Sequence, residues 1–160
     1  MFYYVTVTTE CDLKCTYCYG KACDDSGRGF ESFEIDYDVP TFMKYDIEDL
    51  RLFLEKDPYP VIIFYGGEPL LNIRKVEEII DRVHSEHYMI QTNGLHLEDV
   101  QARYLDRFHT ILVSIDGDQR QTDRNRGSGT YQRIVRNLRE LRKKGFRGEI
   151  IGRMTVPVNT

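Results

Sequence analysis

Three cysteines stand within eight residues of one another, in the stretch Cys11-Asp12-Leu13-Lys14-Cys15-Thr16-Tyr17-Cys18 that follows an apolar N-terminal run. Thiolates are soft donors, and three on one short loop can hold three irons of a four-iron four-sulfur cluster, whose fully protein-ligated form takes four Cys. The fourth iron would then be open to a small molecule. Cys occupies 4 of 160 positions, so chance partners at both +4 and +7 from a given Cys arise with a frequency under about one in a thousand. Two plainer readings compete. A zinc site wants four donors, usually as two separated pairs, and a disulfide would leave one thiol over. Thioredoxin-like use of Cys15-x-x-Cys18 would put the pair at a helix start and leave Cys11 unexplained. Cys23 has no partner at a motif spacing and reads as a structural or incidental thiol.

Other polar groups recur where apolar runs end. Tyr65-Gly66-Gly67-Glu68-Pro69 has two glycines that would let the backbone approach a ligand and a fixed carboxylate, Glu68, suited to a ligand ammonium. The same residues also suit a tight strand-to-helix connection. Gln91-Thr92-Asn93-Gly94 and Ser114-Ile115-Asp116-Gly117 each put hydrogen-bonding side chains before a turn glycine. Together with the cysteines they would ring one mouth, with Ser114 and Asp116 suited to ribose hydroxyls. Arg124, Arg126 and Arg153 are candidates to pair with a carboxylate through the guanidinium fork, although a surface role suits any one of them. His84, His87, His96 and His109 follow no ligand spacing and read as surface residues.

These motifs need a scaffold that brings them to one side. Phe2 to Thr8, Pro60 to Tyr65, Tyr88 to Thr92, Thr110 to Ile115 and Glu149 to Val156 read as strands. Between them lie helical spacings: Ile47, Leu50, Leu54; Val76, Ile79, Ile80, Val83; Leu97, Val100, Leu105; and Ile134, Leu138, Leu141. Strands alternating with helices predict an α/β fold of parallel βα units with right-handed crossovers. In such folds the ligand site lies at the C-terminal ends of the strands, where the motifs fall. Residues 19–45 break the rhythm and predict a long loop with a small hairpin around Phe33 to Tyr37. Pro157 to Thr160 follow the fifth strand directly, so the core is expected to be truncated or completed by a partner.

With 160 residues, net charge −4 and no apolar run near the ~18 residues that span a bilayer, the chain is expected to be one cytoplasmic domain with no membrane or nucleic-acid partner. Reduced thiols suit that compartment, and an exposed cluster suits an anaerobic setting.

Cys11-x3-Cys15-x2-Cys18 with Tyr17 before the last Cys, followed by Gly66-Gly67-Glu68-Pro69, resembles the radical S-adenosylmethionine superfamily. Thr92-Asn93-Gly94, Ser114-Ile115-Asp116-Gly117 and Arg126-Gly127-x-Gly129-Thr130-Tyr131 resemble its anaerobic sulfatase-maturating, peptide-modifying branch. The resemblance implies a partial (β/α)6 barrel over residues 1–160, with about five βα units and the last part missing. It implies a 4Fe-4S cluster on Cys11, Cys15 and Cys18, with S-adenosyl-L-methionine chelating the fourth iron. Gly66, Gly67 and Glu68 would meet the methionine ammonium, Tyr17 the adenine, and Ser114 and Asp116 the methionine or ribose portion; Asn93 and Arg153 complete the cofactor-binding set. Gly148-x-Ile150-x-Gly152 resembles an adenine-contacting motif, with Thr155 where some members carry Glu. Thr122-Asp123 stands where relatives often carry His-Asp.

The implied activity is reductive cleavage of S-adenosylmethionine and hydrogen abstraction from a peptide or protein substrate, fed by a ferredoxin or flavodoxin. Competing readings are an activating enzyme that installs a glycyl radical, an iron-sulfur electron carrier or structural protein, and an inactive core fragment. No residue is assigned as general base.

Overall fold

The computed structural model describes residues 1–18 and 40–156. The expected hairpin around Phe33 to Tyr37, most of the expected long loop, and Cys23 lie outside those residues. Five strands, β1 (Phe2–Thr8), β2 (Val61–Gly66), β3 (His87–Thr92), β4 (Phe108–Ser114) and β5 (Glu149–Arg153), pair in parallel in chain order. Between them run α1 (Ile47–Leu54), α2 (Ile73–Arg82), the short α3 (Ala102–Leu105), α4 (Gln119–Arg126) and α5 (Thr130–Lys143). The α/β architecture with five parallel strands is as the sequence predicts.

Strand side chains alternate between two faces, and the register aligns the alternation across the sheet. Val5 pairs with Phe64, Phe64 with Ile90, Ile90 with Ile111 and Ile111 with Ile150. This apolar row packs on Leu50, Leu54, Val76, Ile79, Ile80, Ile134 and Leu141 of the helices. Burying each such side chain stabilises the fold by about 1.5–3 kcal/mol. Phe64 is the centre of that layer, stacked on Tyr88 and edge-on to Phe108. The opposite face carries Phe2, Tyr4, Gln91, Ile151 and Arg153 and is far more open.

Two expectations change. The spacing Leu97, Val100, Leu105 predicts one helix, but a 3-10 turn (Leu97–Asp99) and α3 take its place. Val100 and Gln101 are extended, with ψ of 122° and 144°, and break the helix while Leu97, Val100, Tyr104 and Leu105 stay buried. Core burial therefore outweighs helical continuity here. β5 stops at Arg153 rather than Val156, and just beyond it the Thr155 N–H donates to the Asp116 carboxylate.

α4 carries no apolar period at all. Its buried residues are Thr122, Asn125 and Arg126, so it is held by polar contacts that a hydrophobic pattern does not reveal. The Asp118 carboxylate accepts from the Gln121 N–H to start it, and Gly127 ends it at φ +112°. Among the described residues, no helix is long and apolar enough to cross a membrane.

Candidate functional site

The cysteine loop leaves β1 at Thr8 and is held first by the turn after β2. The Gly67 N–H donates to the Thr8 carbonyl (3.0 Å) and the Glu68 N–H to the Glu10 carbonyl (2.7 Å). A Cβ on Gly66 would lie 2.1 Å from Thr8 O, and one on Gly67 would lie 2.0 Å from Glu10 O. The closeness that both glycines permit is therefore with the cysteine loop itself.

Glu68 does not present a free carboxylate. It is 0 % exposed, and Oε1 accepts from the Leu70 N–H (3.0 Å) and the Thr92 hydroxyl (2.8 Å) while Oε2 accepts from the Asn93 N–H (2.6 Å). Burial pushes its pKa up, and those hydrogen bonds oppose the shift. Glu68 thus welds the turn after β2 to the turn after β3, leaving backbone as what the glycine turn can offer outward.

Asn93 continues the chain of contacts. Its Nδ2 donates to Asp12 Oδ1 (2.7 Å), and its Oδ1 accepts from the Leu95 N–H. Asp12 Oδ2 lies 2.9 Å from His96 Nε2, and His96 Nδ1 lies 3.3 Å from Asp99 Oδ2. Burial alone would raise the Asp12 pKa, but His96 and Asn93 outweigh it and hold the group low; Asp12 and Asp99 in turn outweigh burial and hold His96 high. Asp12 and His96 are absent from the sequence-derived site. The sequence spacing predicts a surface role for His96, but it is half-buried and its partner lies 84 residues away. His84, His87 and His109 make no contact with this site, so the same expectation stands for them.

The far side of the cysteine loop is tied to β4 and α4. Asp116, 0 % exposed, accepts from Arg126 Nε (2.9 Å) and Nη2 (3.1 Å), from the Thr155 N–H (3.2 Å) and, by a short bond, from the Tyr17 hydroxyl. Arg126 also lies over the Tyr17 ring at 5.4 Å. Burial would raise the Asp116 pKa, but Arg126 and Tyr17 reverse it and hold the carboxyl below its usual range; burial and Asp116 push the Tyr17 phenol up. Asp116 and Arg126 are therefore bound to each other and not free for ribose or carboxylate. Thr122 Oγ1 accepts from the Asp116 N–H, and Asp123 accepts from the Gly129 and Tyr131 N–H groups, which gives the Thr122-Asp123 pair structural work. Arg124 is exposed.

Cys11, Cys15 and Cys18 are half-buried and form no disulfide. Burial pushes the Cys15 thiol up, Cys11, Cys18 and Asp116 add to that, and Arg126 opposes it, so the three sulfurs share one electrostatic neighbourhood. Three thiolates on one loop are soft donors that fit three irons of a 4Fe-4S cubane, each thiolate on its own iron. Asn125, whose carbonyl accepts from the Thr16 N–H, buries an Nδ2 donor that finds no partner among the described residues. Such an orphan costs about 1–3 kcal/mol, and a group bound beside the cysteine loop could relieve it. Ser114 is half-buried at the end of β4, and Arg153 reaches from β5 across it to Gln91 on β3.

Comparison with known proteins agrees with this geometry. The family described as Radical SAM superfamily matches residues 5–159. The Fe-coproporphyrin III synthase of Methanosarcina barkeri is 29 % identical over 147 residues, covering 88 % of this chain and 34 % of its own length. The cysteine-type anaerobic sulfatase-maturating enzyme of Clostridium perfringens is 28 % identical over 152 residues, covering 86 % of this chain and 39 % of its own. A solved structure of native anSMEcpe with bound AdoMet and Cp18Cys peptide superimposes with a TM-score of 0.65 at 18 % identity, over 94 % of this chain and 42 % of that one. The chain spans well under half the length of each.

Proposed function

The chain belongs to the radical SAM superfamily, and from that premise we propose that it cleaves S-adenosylmethionine reductively on a 4Fe-4S cluster held by Cys11, Cys15 and Cys18. The observation that carries the reading is a loop with three unbridged thiols, anchored from both sides by buried polar contacts. Cys11, Cys15 and Cys18 would hold the cluster, and the cluster with S-adenosylmethionine would supply one-electron reductive cleavage and the capacity to abstract a hydrogen atom from substrate.

The chain's own residues position and confine. Gly66 and Gly67 seat the loop and offer backbone toward the methionine ammonium. Asp116 and Arg126 fix the Tyr17 ring for the adenine side. Ser114 and Arg153 supply a hydroxyl and a guanidinium to the ribose and carboxylate ends, the latter as a fork suited to a carboxylate. Glu68 and Asn93 act by holding the turns, because their polar atoms are already engaged. Cofactors carry the radical step, so precision of placement is what the protein contributes.

The substrate is a peptide or protein, a ferredoxin or flavodoxin supplies the cluster with its electron, and the chain works in the cytoplasm. Support for the substrate class comes from the Ser114-Ile115-Asp116-Gly117 and Arg126-Gly127-x-Gly129-Thr130-Tyr131 stretches and from the sulfatase-maturating relative. The test is anaerobic reconstitution with iron and sulfide, then dithionite and S-adenosylmethionine, with chromatography for 5′-deoxyadenosine. Cys15→Ala is expected to abolish cluster colour and product together. Product that survives the substitution would refute the ligand set.

A further inference from the structure

His96 stands between two carboxylates. Its Nε2 lies 2.9 Å from Asp12 Oδ2 and its Nδ1 lies 3.3 Å from Asp99 Oδ2. Both ring nitrogens face carboxylate oxygens, which only accept, and this placement favours the imidazolium form. The other Asp12 oxygen is taken by Asn93 Nδ2 at 2.7 Å. Asp12 follows Cys11 directly, and its carboxylate is therefore clamped, on both oxygens, by the loop after β3. That loop is itself tied to the helix layer: Asn137 of α5 donates to the Gly94 and Leu95 carbonyls at 3.0 Å each. His96 and Asp12 are 23 % and 32 % exposed, shielded enough for their charges to act on a neighbouring group.

We infer that His96, acting through Asp12, is a positioning residue that orients the cysteine loop and sets the reduction potential of its cluster. The inference rests on the reading that the three cysteines hold one. Cluster potentials respond to net charge and hydrogen bonding around the sulfurs. An Asp12 carboxylate with its imidazolium removed leaves extra negative charge beside the loop, and the added electron becomes less welcome. Removing the Asp12 charge does the opposite.

The experiment is an EPR-monitored redox titration, at one pH, of the anaerobically reconstituted chain and three variants. His96→Gln is expected to lower the midpoint potential, Asp12→Asn to raise it, and His96→Lys, which keeps the cation, to stay near the parent value. A merely structural role would lower iron loading without signed, opposite shifts. If His96→Gln fails to load, rescue of loading by His96→Lys supports charge pairing, and failure of both overturns the inference. Equal potentials in the parent and His96→Gln, or shifts of one sign in His96→Gln and Asp12→Asn, also overturn it. A parent chain that takes up no cluster overturns instead the reading beneath, and this inference with it.

Discussion

Gly67→Ala tests the seam between the glycine turn and the cysteine loop. The added methyl would sit 2.0 Å from the Glu10 carbonyl oxygen, 2.5 Å from its carbon and 2.5 Å from Thr9 O. All three are backbone atoms, so no rotamer change relieves the clash, and ordinary contact needs roughly another 1 Å or more of separation. Forcing a methyl into a packed site costs about 1–3 kcal/mol. The same displacement strains the bonds from Gly67 N to Thr8 O and from Glu68 N to Glu10 O, each worth about 1 kcal/mol. A loss of about 2–4 kcal/mol is expected, read as a lower urea midpoint by circular dichroism with the slope unchanged. Because the loop that moves carries Cys11, a misplacement of that size is also expected to cost on the order of 10²-fold in 5′-deoxyadenosine formation. Gly67→Ala protein with the parent's midpoint, iron content and product rate would refute the claim that glycine is there for close approach to the loop.

Asp116→Asn removes a carboxyl whose pKa is held below its usual range by Arg126 and Tyr17. A depressed carboxylate contributes stability above its unfolded value near 3.9 and loses it as pH falls through the folded value. The parent should therefore exceed Asp116→Asn in urea stability at pH 6–7, with the gap narrowing as pH falls below about 4 toward the lower folded value; a gap that does not narrow with acidification contradicts the ion-pair account. Asn125→Leu removes the buried, unpartnered amide donor and is expected to stabilise the unloaded chain by about 1 kcal/mol while weakening equilibrium binding of S-adenosylmethionine to the reconstituted protein. An unloaded chain that is less stable would mean the amide has a partner of its own. Phe64→Ala, at the centre of the apolar row, is expected to cost about 3–5 kcal/mol, measured by thermal unfolding; a loss under 1 kcal/mol would show that the row is not the core.

The cysteine chemistry was legible in the sequence because ligand spacing is local: three thiols in eight residues lie on one loop whatever surrounds them. The five strands were legible because apolar runs in a parallel sheet are short and continuous, and the polar motifs follow their C-terminal ends. Which atoms of Glu68, Asn93, Asp116 and Arg126 are free was not legible. Each spends its polar groups on partners that its own segment does not foretell, as Tyr17 does with Asp116 across 99 residues. α4 was missed because its buried side chains are polar and leave no apolar period. The sequence by itself determined that three thiols share one short loop, and it determined the order of the units that carry it. Tertiary structure alone decided that most of the polar residues around the mouth serve as fasteners for the cysteine loop, because a buried polar atom must be paired and folding selects its partner.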